Sequence, residues 1–370
     1  MNPTPWYAII NVAQLDSPAL VIYPDRVRAN IGRLIGMIDN VARLRPHVKT
    51  HKSREATALL LVAGIQKFKC ATIAEAEMLA MTGTPDVLLA YQPVDAKQDR
   101  LLALMLAYPQ TTFSCLVDNL DTAETLSERA VRAGLTVPVY VDLNVGMNRT
   151  GLAPDQTAFD LYTQLARLPG VQPVGLHAYD GHIRNPDFVI RTAECDAAFA
   201  PVARLCDQLR ERGFDPIIVA GGSPTFPIHA RRPDVECSPG TFIYWDNGYG
   251  TTCSEQPFEP AALLVTRVIS RPDATKLCLD LGHKSVAAEG ELTKRVHFLN
   301  APELRAISQS EEHLVVEAGD GHSYQIGDVL YGLPQHICPT VALYERAHTV
   351  TDGQVTGAWR TVARDRTLTL

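Results

Sequence analysis

The chain has 370 residues, 46% of them hydrophobic and 20% charged, enough apolar material for a large core in a soluble globular protein. A formal net charge of -7 argues against nucleic acid and anionic membrane surfaces as partners. No apolar run is long enough to span a bilayer, and Met1 to Trp6 show neither the basic nor the apolar region of a secretory signal. The expected setting is therefore the cytoplasm, with the eight cysteines reduced; no two of them form a C-x-x-C pair.

From about residue 17 to 245, short apolar runs alternate with longer amphipathic ones. The expected strands are Leu44–Lys49, Phe68–Ile73, Val87–Tyr91, Thr112–Val117, Val137–Leu143, Val174–Tyr179, Ile217–Ala220 and Glu236–Tyr244. Between them, stretches such as Ala74–Met81, Leu120–Ala133 and Phe188–Arg212 place Ala, Leu, Glu and Arg at helical spacing. Eight strand–helix alternations over this length give an α/β fold of (β/α)8 TIM-barrel type. A doubly wound open sheet is the rival, but no βα junction carries G-x-G-x-x-G.

After Tyr249 the texture changes. Val265–Ile269, Lys276–Leu281, Arg295–Phe298, Leu314–Glu317 and Val329–Tyr331 are short runs rich in Val, Leu and Ile, punctuated by Gly, Pro, Asp and Asn. They predict a C-terminal β-rich, β-barrel-like domain. The expected division is a barrel over residues 15–255 and a β domain over 256–370, joined by residues 1–14.

In a barrel, residues at the C-terminal strand ends form the active site. Lys49 ends the first expected strand, inside Arg45-Pro46-His47-Val48-Lys49-Thr50-His51-Lys52. Burial and cationic neighbours lower an ammonium pKa and free the amine to form a Schiff base. Arg149 follows the fifth strand, where an arginine either caps a helix at the surface, the commoner case, or, flanked by Gly146 and Gly151, reaches a phenolate or carboxylate. His177, Tyr179 and His182 fall within six residues after the sixth. Gly221-Gly222-Ser223-Pro224-Thr225 follows the seventh and is an anion cradle by type, although Gly-Gly-Ser-Pro is also ordinary turn chemistry. In the late run Pro334-Gln335-His336-Ile337-Cys338-Pro339-Thr340, a strand would point His336 and Cys338 to one face, where both could hold a metal ion. Thiolate with imidazole favours zinc.

Taken together, these stretches resemble the D-threonine aldolase and D-serine dehydratase group of fold-type III pyridoxal-phosphate enzymes, with the alanine racemase N-terminal barrel a more distant relative. The likeness rests on Arg45–Lys52, Gly146-Met147-Asn148-Arg149-Thr150-Gly151, Gly175–His182, Gly221–Thr225, Cys237-Ser238-Pro239-Gly240-Thr241 and His336–Thr340, in the family's order. The resemblance implies that Lys49 holds pyridoxal 5'-phosphate and that Gly221, Gly222, Ser223 and Thr225 bind its phosphate. It implies that Arg149 faces the ring's 3-oxygen and that Tyr179 lines the cofactor. His336 and Cys338 would bind a divalent metal (Zn, Mn or Mg) beside the β-hydroxyl of a small D-amino acid. It also implies a homodimer.

The implied activity is that of a lyase on D-β-hydroxy-α-amino acids. In retro-aldol cleavage, of D-threonine aldolase type, His182 (or, second, His177) takes the hydroxyl proton, giving glycine and an aldehyde. In dehydration, of the D-serine or D-threo-3-hydroxyaspartate type, Lys49 takes the Cα proton and the products are a 2-oxo acid and ammonia. Cys338 points to dehydration, since the aldolases of the group carry a carboxylate there; Asn148–Gly151, Tyr179–His182 and Ser238–Gly240 resemble the aldolase branch. The aldolase reading is the one adopted. A racemase of the same fold would need a second acid/base, for which Tyr324, Tyr331 and Tyr344 are candidates. A non-catalytic cofactor carrier would lack the second domain.

Overall fold

The first strand, β1 (Ala19–Ile22), pairs antiparallel with β9 (Ala262–Ser270) and parallel with β15 (Arg346–Thr351), although some 240 and 325 residues separate them. It does so in a computed structural model that describes residues 4–370; Met1–Pro3, part of the expected terminal segment, lie outside the described residues. Two compact units result. One comprises residues up to Arg33, Thr50–Ala56 and Thr241–Arg364; the other comprises Leu34–Lys49, Thr57–Gly240 and Asp365–Leu370.

The second unit holds seven parallel strands in chain order: β2 (Lys67–Cys70), β3 (Asp86–Leu89), β4 (Thr112–Val117), β5 (Val137–Leu143), β6 (Val171–Ala178), β7 (Ile217–Ala220) and β8 (Val235–Cys237). Helices separate them, including Ile73–Met81, Leu120–Arg132 and Phe188–Glu211. The Thr72, Asn119 and Asp187 side chains each accept a backbone N–H in the first turn of one of these helices. The interior between strands is filled by Leu88, Leu116, Tyr140 and Val219.

The expected first strand, Leu44–Lys49, is not a strand. Pro46 lacks an N–H, and Val48–Thr50 winds into a 3-10 turn that carries Lys49. The segment still serves as the eighth stave. Arg45 N donates to Cys237 O and His47 N to Pro239 O, while Lys69 N donates to Pro46 O, each at 2.9 Å. These links tie both edge strands, β8 and β2, to residues 45–47 and close the barrel. Beneath them Arg45, 1% exposed, is held by Glu236 at 2.7 Å and Asp86 at 2.6 and 3.1 Å.

The first unit is the β-rich domain, a nine-stranded sheet that includes β1, β9, β14 (Val329–Pro334), β15 and β16 (Gln354–Arg360). Val21, Leu263, Val265, Tyr331, Leu333 and Val350 form its core. The division falls at Gly240/Thr241, ahead of the expected residue 255, and the N-terminal contribution runs to Arg33. The reason is pairing: β1 completes this sheet, and the 3-10 turn Thr241–Ile243 replaces the end of the expected eighth strand.

Candidate active site

A cavity of about 580 Å³ opens within the barrel unit, bordered by Lys49, Lys69, Asp142, Arg149, His177 and Tyr179 among others. Tyr179 is part of its wall. Lys49 Nζ lies 5.8 Å from the Tyr179 ring centroid, Lys69 Nζ 5.6 Å and Arg149 Cζ 5.1 Å, so three cationic heads gather about one phenol ring. Lys49 is fixed at its base, because its N–H donates to His47 Nδ1 at 3.2 Å. The fold brings together Lys49, Arg149 and Tyr179, three of the residues expected from the sequence to share a site.

The Gly221–Thr225 loop begins where β7 ends. Gly221 has φ +78, and a Cβ there would stand 2.7 Å from the His229 ring. A Cβ on Gly222 would meet Tyr179 at 3.1 Å, so the loop backbone runs close against the aromatic wall. The Thr225 hydroxyl is committed: it donates to Asp180 at 2.8 Å and accepts from Gly222 N at 3.3 Å. Thr225 thus braces the loop. Ser223 Oγ accepts from Gly240 N at 3.3 Å.

Asp180, Cys195 and His229 are buried, and their donor atoms lie near enough to share an ion. Hydrogen bonding argues for a brace instead. Arg232, which can only donate, lies 2.7 Å from His229 Nδ1; the imidazole proton is then on Nε2, facing Asp180 at 2.8 Å. Burial and Asp180 push the Cys195 thiol up to about 12, so within this hydrogen-bonded array it is a neutral thiol.

The sequence did not signal the role of a buried array beside the cavity. His177 Nδ1 lies 2.7 Å from Asp142 Oδ1, and its Nε2 lies 3.4 Å from Lys69 Nζ. Burial opposes ionisation of Asp142, but the His177 hydrogen bond, with Thr150 and Arg149, holds its carboxyl below the usual range. Burial likewise lowers His177, more than Asp142 raises it. The signal available was a lysine inside the short buried run Phe68-Lys69-Cys70. His182 is placed separately, exposed, its Nε2 2.7 Å from where a Gly146 Cβ would stand.

In the β unit, His336 and Cys338 are neighbours, but not on a strand. His336 is the extended N-cap residue of the helix Ile337–Leu343, and Cys338 is that helix's second residue. Their side chains hydrogen-bond each other; burial is outweighed by Cys338 and Glu289, and His336 rises to about 9. His336 Nδ1 lies 2.6 Å from Glu289, and Cys338 Sγ 3.1 Å from Thr50 Oγ1. Imidazole, thiol and an orienting carboxylate fit a divalent ion with open positions. The barrel fits pyridoxal phosphate on its own observations: an amine in a roomy cavity, a glycine loop against its wall, and the buried Ser238 hydroxyl with no partner.

Comparison with known proteins agrees with this architecture. Residues 22–248 match the alanine racemase N-terminal domain and residues 261–350 a putative serine dehydratase domain. A D-threonine aldolase from Arthrobacter sp. is 29% identical, over 95% of this chain and 94% of that protein. A D-threo-3-hydroxyaspartate dehydratase from Delftia sp. (strain HT23) is 25% identical, over 89% and 93%. The crystal structure of D-threonine aldolase from Filomicrobium marinum superposes with a TM-score of 0.87 at 26% identity, covering 97% of this chain and 98% of that one. With its barrel matched over more than half its length and its β domain matched beyond it, the chain belongs to the alanine racemase N-terminal domain family, in the D-threonine aldolase and D-serine dehydratase group.

Proposed function

We propose that the protein is a pyridoxal-phosphate- and divalent-metal-dependent lyase of D-β-hydroxy-α-amino acids, working as a D-threonine aldolase. The observation that carries this reading is the convergence of Lys49 and Arg149 on Tyr179 in one cavity. The D-threonine aldolase relatives support it.

Lys49 holds the cofactor through its amine. Gly221, Gly222 and Ser223 receive the phosphate on a loop that Thr225 and Asp180 keep in shape. Arg149 would hold the anionic ring oxygen, and Tyr179 would line the cofactor. The cofactor, when bound, supplies an electron sink for the bond broken at Cα, and a divalent ion on His336 and Cys338 supplies a Lewis acid for a hydroxyl. His182 takes the β-hydroxyl proton. His177 is less suited to that task, since both its ring nitrogens are engaged, Nδ1 by Asp142 and Nε2 by Lys69.

A dehydratase is the second reading, favoured by Cys338, whose thiol in place of a carboxylate suits zinc. Incubation of the purified protein with D-threonine, cofactor and metal separates the two. Glycine with acetaldehyde is expected; 2-oxobutyrate with ammonia would give the dehydratase, and no turnover of D-threonine, D-serine or 3-hydroxy-D-aspartate would overturn both.

A further inference from the structure

We propose that Lys69 is a second carbonyl-reactive amine of this cavity, set up as a nucleophile by His177 and Asp142. The three residues come from different strands, β2, β6 and β5. Lys69 Nζ lies 3.4 Å from His177 Nε2, and His177 Nδ1 lies 2.7 Å from Asp142 Oδ1. That is the order nucleophile, base, orienting carboxylate, with an amine in the first place. The carboxylate holds the Nδ1 proton, so Nε2 presents a lone pair to Lys69.

Lys69 is 2% exposed, yet it borders the same cavity as Lys49 and stands at nearly the same distance from Tyr179. Among the described residues, no carboxylate pairs with it directly. The charged groups around it are Lys49 and Arg45, which disfavour its proton, and Asp180 and Asp142, which favour it; burial outweighs them all, and the amine falls to about 7. An aldehyde entering the cavity therefore meets two amines. At Lys69 the nitrogen lone pair adds to the carbonyl carbon, and the C=O bond opens to a hydroxyl. His177 carries the proton from nitrogen to oxygen, and water leaves as C=N forms. No oxidant or reductant takes part.

The aldehyde is either the cofactor itself or a short aldehyde released from substrate, a choice that rests on the function proposed above. Two arms distinguish them. In the first, cofactor-free wild type is treated at pH 7 with acetaldehyde and cyanoborohydride, and its peptides are mapped by mass. Lys69 is expected to be ethylated about tenfold faster than exposed Lys97, with Asp142→Asn removing that advantage. In the second, Lys49→Ala is mixed with pyridoxal phosphate and reduced with borohydride, and the pyridoxyl mass is expected on the Lys69 peptide. Labelling in either arm supports the proposal and names the aldehyde. An unlabelled Lys69 in both overturns it. The function proposed above fails separately, when borohydride leaves no pyridoxyl group on Lys49 of wild type.

Discussion

Asp142 and His177 face each other across neighbouring strands in direct register, and their 2.7 Å hydrogen bond decides which imidazole nitrogen points at Lys69. Asp142→Asn tests this. The amide can donate where the carboxylate could only accept, so the imidazole turns its other tautomer outward. A loss of about 2 kcal/mol in urea unfolding is expected, the scale of a buried charge-assisted hydrogen bond. The His177 nitrogen resonances should exchange their protonated and bare positions.

Lys69 makes stability depend on alkaline pH. Its amine falls from an ordinary 10.5 to about 7 in the fold. Between those values the unfolded chain binds more protons, so this residue's contribution to stability rises with pH through that window and is flat below it. Lys69→Met removes the contribution. The variant should exceed wild type in stability at pH 7, with the gap closing toward pH 10; a constant gap in parallel denaturant titrations would contradict this.

Arg45 anchors the stave that bears Lys49. Removing it takes the cation from Asp86 and leaves Glu236 with Lys67 alone; breaking a buried pair costs about 3–5 kcal/mol, and the half-buried Asp86 and the remaining Lys67 place this loss at the lower end. Arg45→Met should unfold at correspondingly lower urea. Adding Asp86→Asn to it should recover part of the loss, since the carboxylate left without its cation is then gone.

Gly221→Ala places a side chain at φ +78 and against His229. The backbone term alone costs about 1–3 kcal/mol. Because His229 holds Asp180, and Asp180 holds Thr225, the loop should also lose its hold on phosphate. Weaker retention of pyridoxal phosphate on dialysis is expected, with pyridoxal lacking the phosphate binding as in wild type.

His336→Ala should remove about one divalent ion per chain by elemental analysis. Glu289→Gln should lower metal affinity roughly tenfold or more, since an orienting carboxylate contributes on that scale. Equal metal content in wild type and His336→Ala would remove this pair as ligands.

Much of the fold was legible because strand burial follows residue type. Thr112–Val117, Val137–Leu143, Ile217–Ala220 and Leu314–Glu317 are strands over the expected residues. Leu44–Lys49 misled because apolar alternation cannot show that Pro46 interrupts a ladder. His336–Cys338 misled because a helix N-terminus, with an extended cap, places two side chains together as a strand would. Tyr179, directly after β6, and Arg149, in the loop after β5, were readable from the strand order, and Lys49 from its cationic run although no strand ends there. The Lys69, His177 and Asp142 array was not, since residues far apart in sequence meet only after the barrel closes. The same holds for Asp180 with Thr225 and His229.

A ring closed by an irregular stave has a seam, and in this barrel the seam bears the reactive amine. Isolated bridges, Leu44 with Cys237 and His47 with Lys69, hold it, against a continuous ladder elsewhere. Thermal breathing would start along that line, shifting Lys49 while the opposite wall, with Arg149 and Tyr179, stays put. On the function proposed above, that freedom would fall to the amine that has to exchange bonding partners in each turnover.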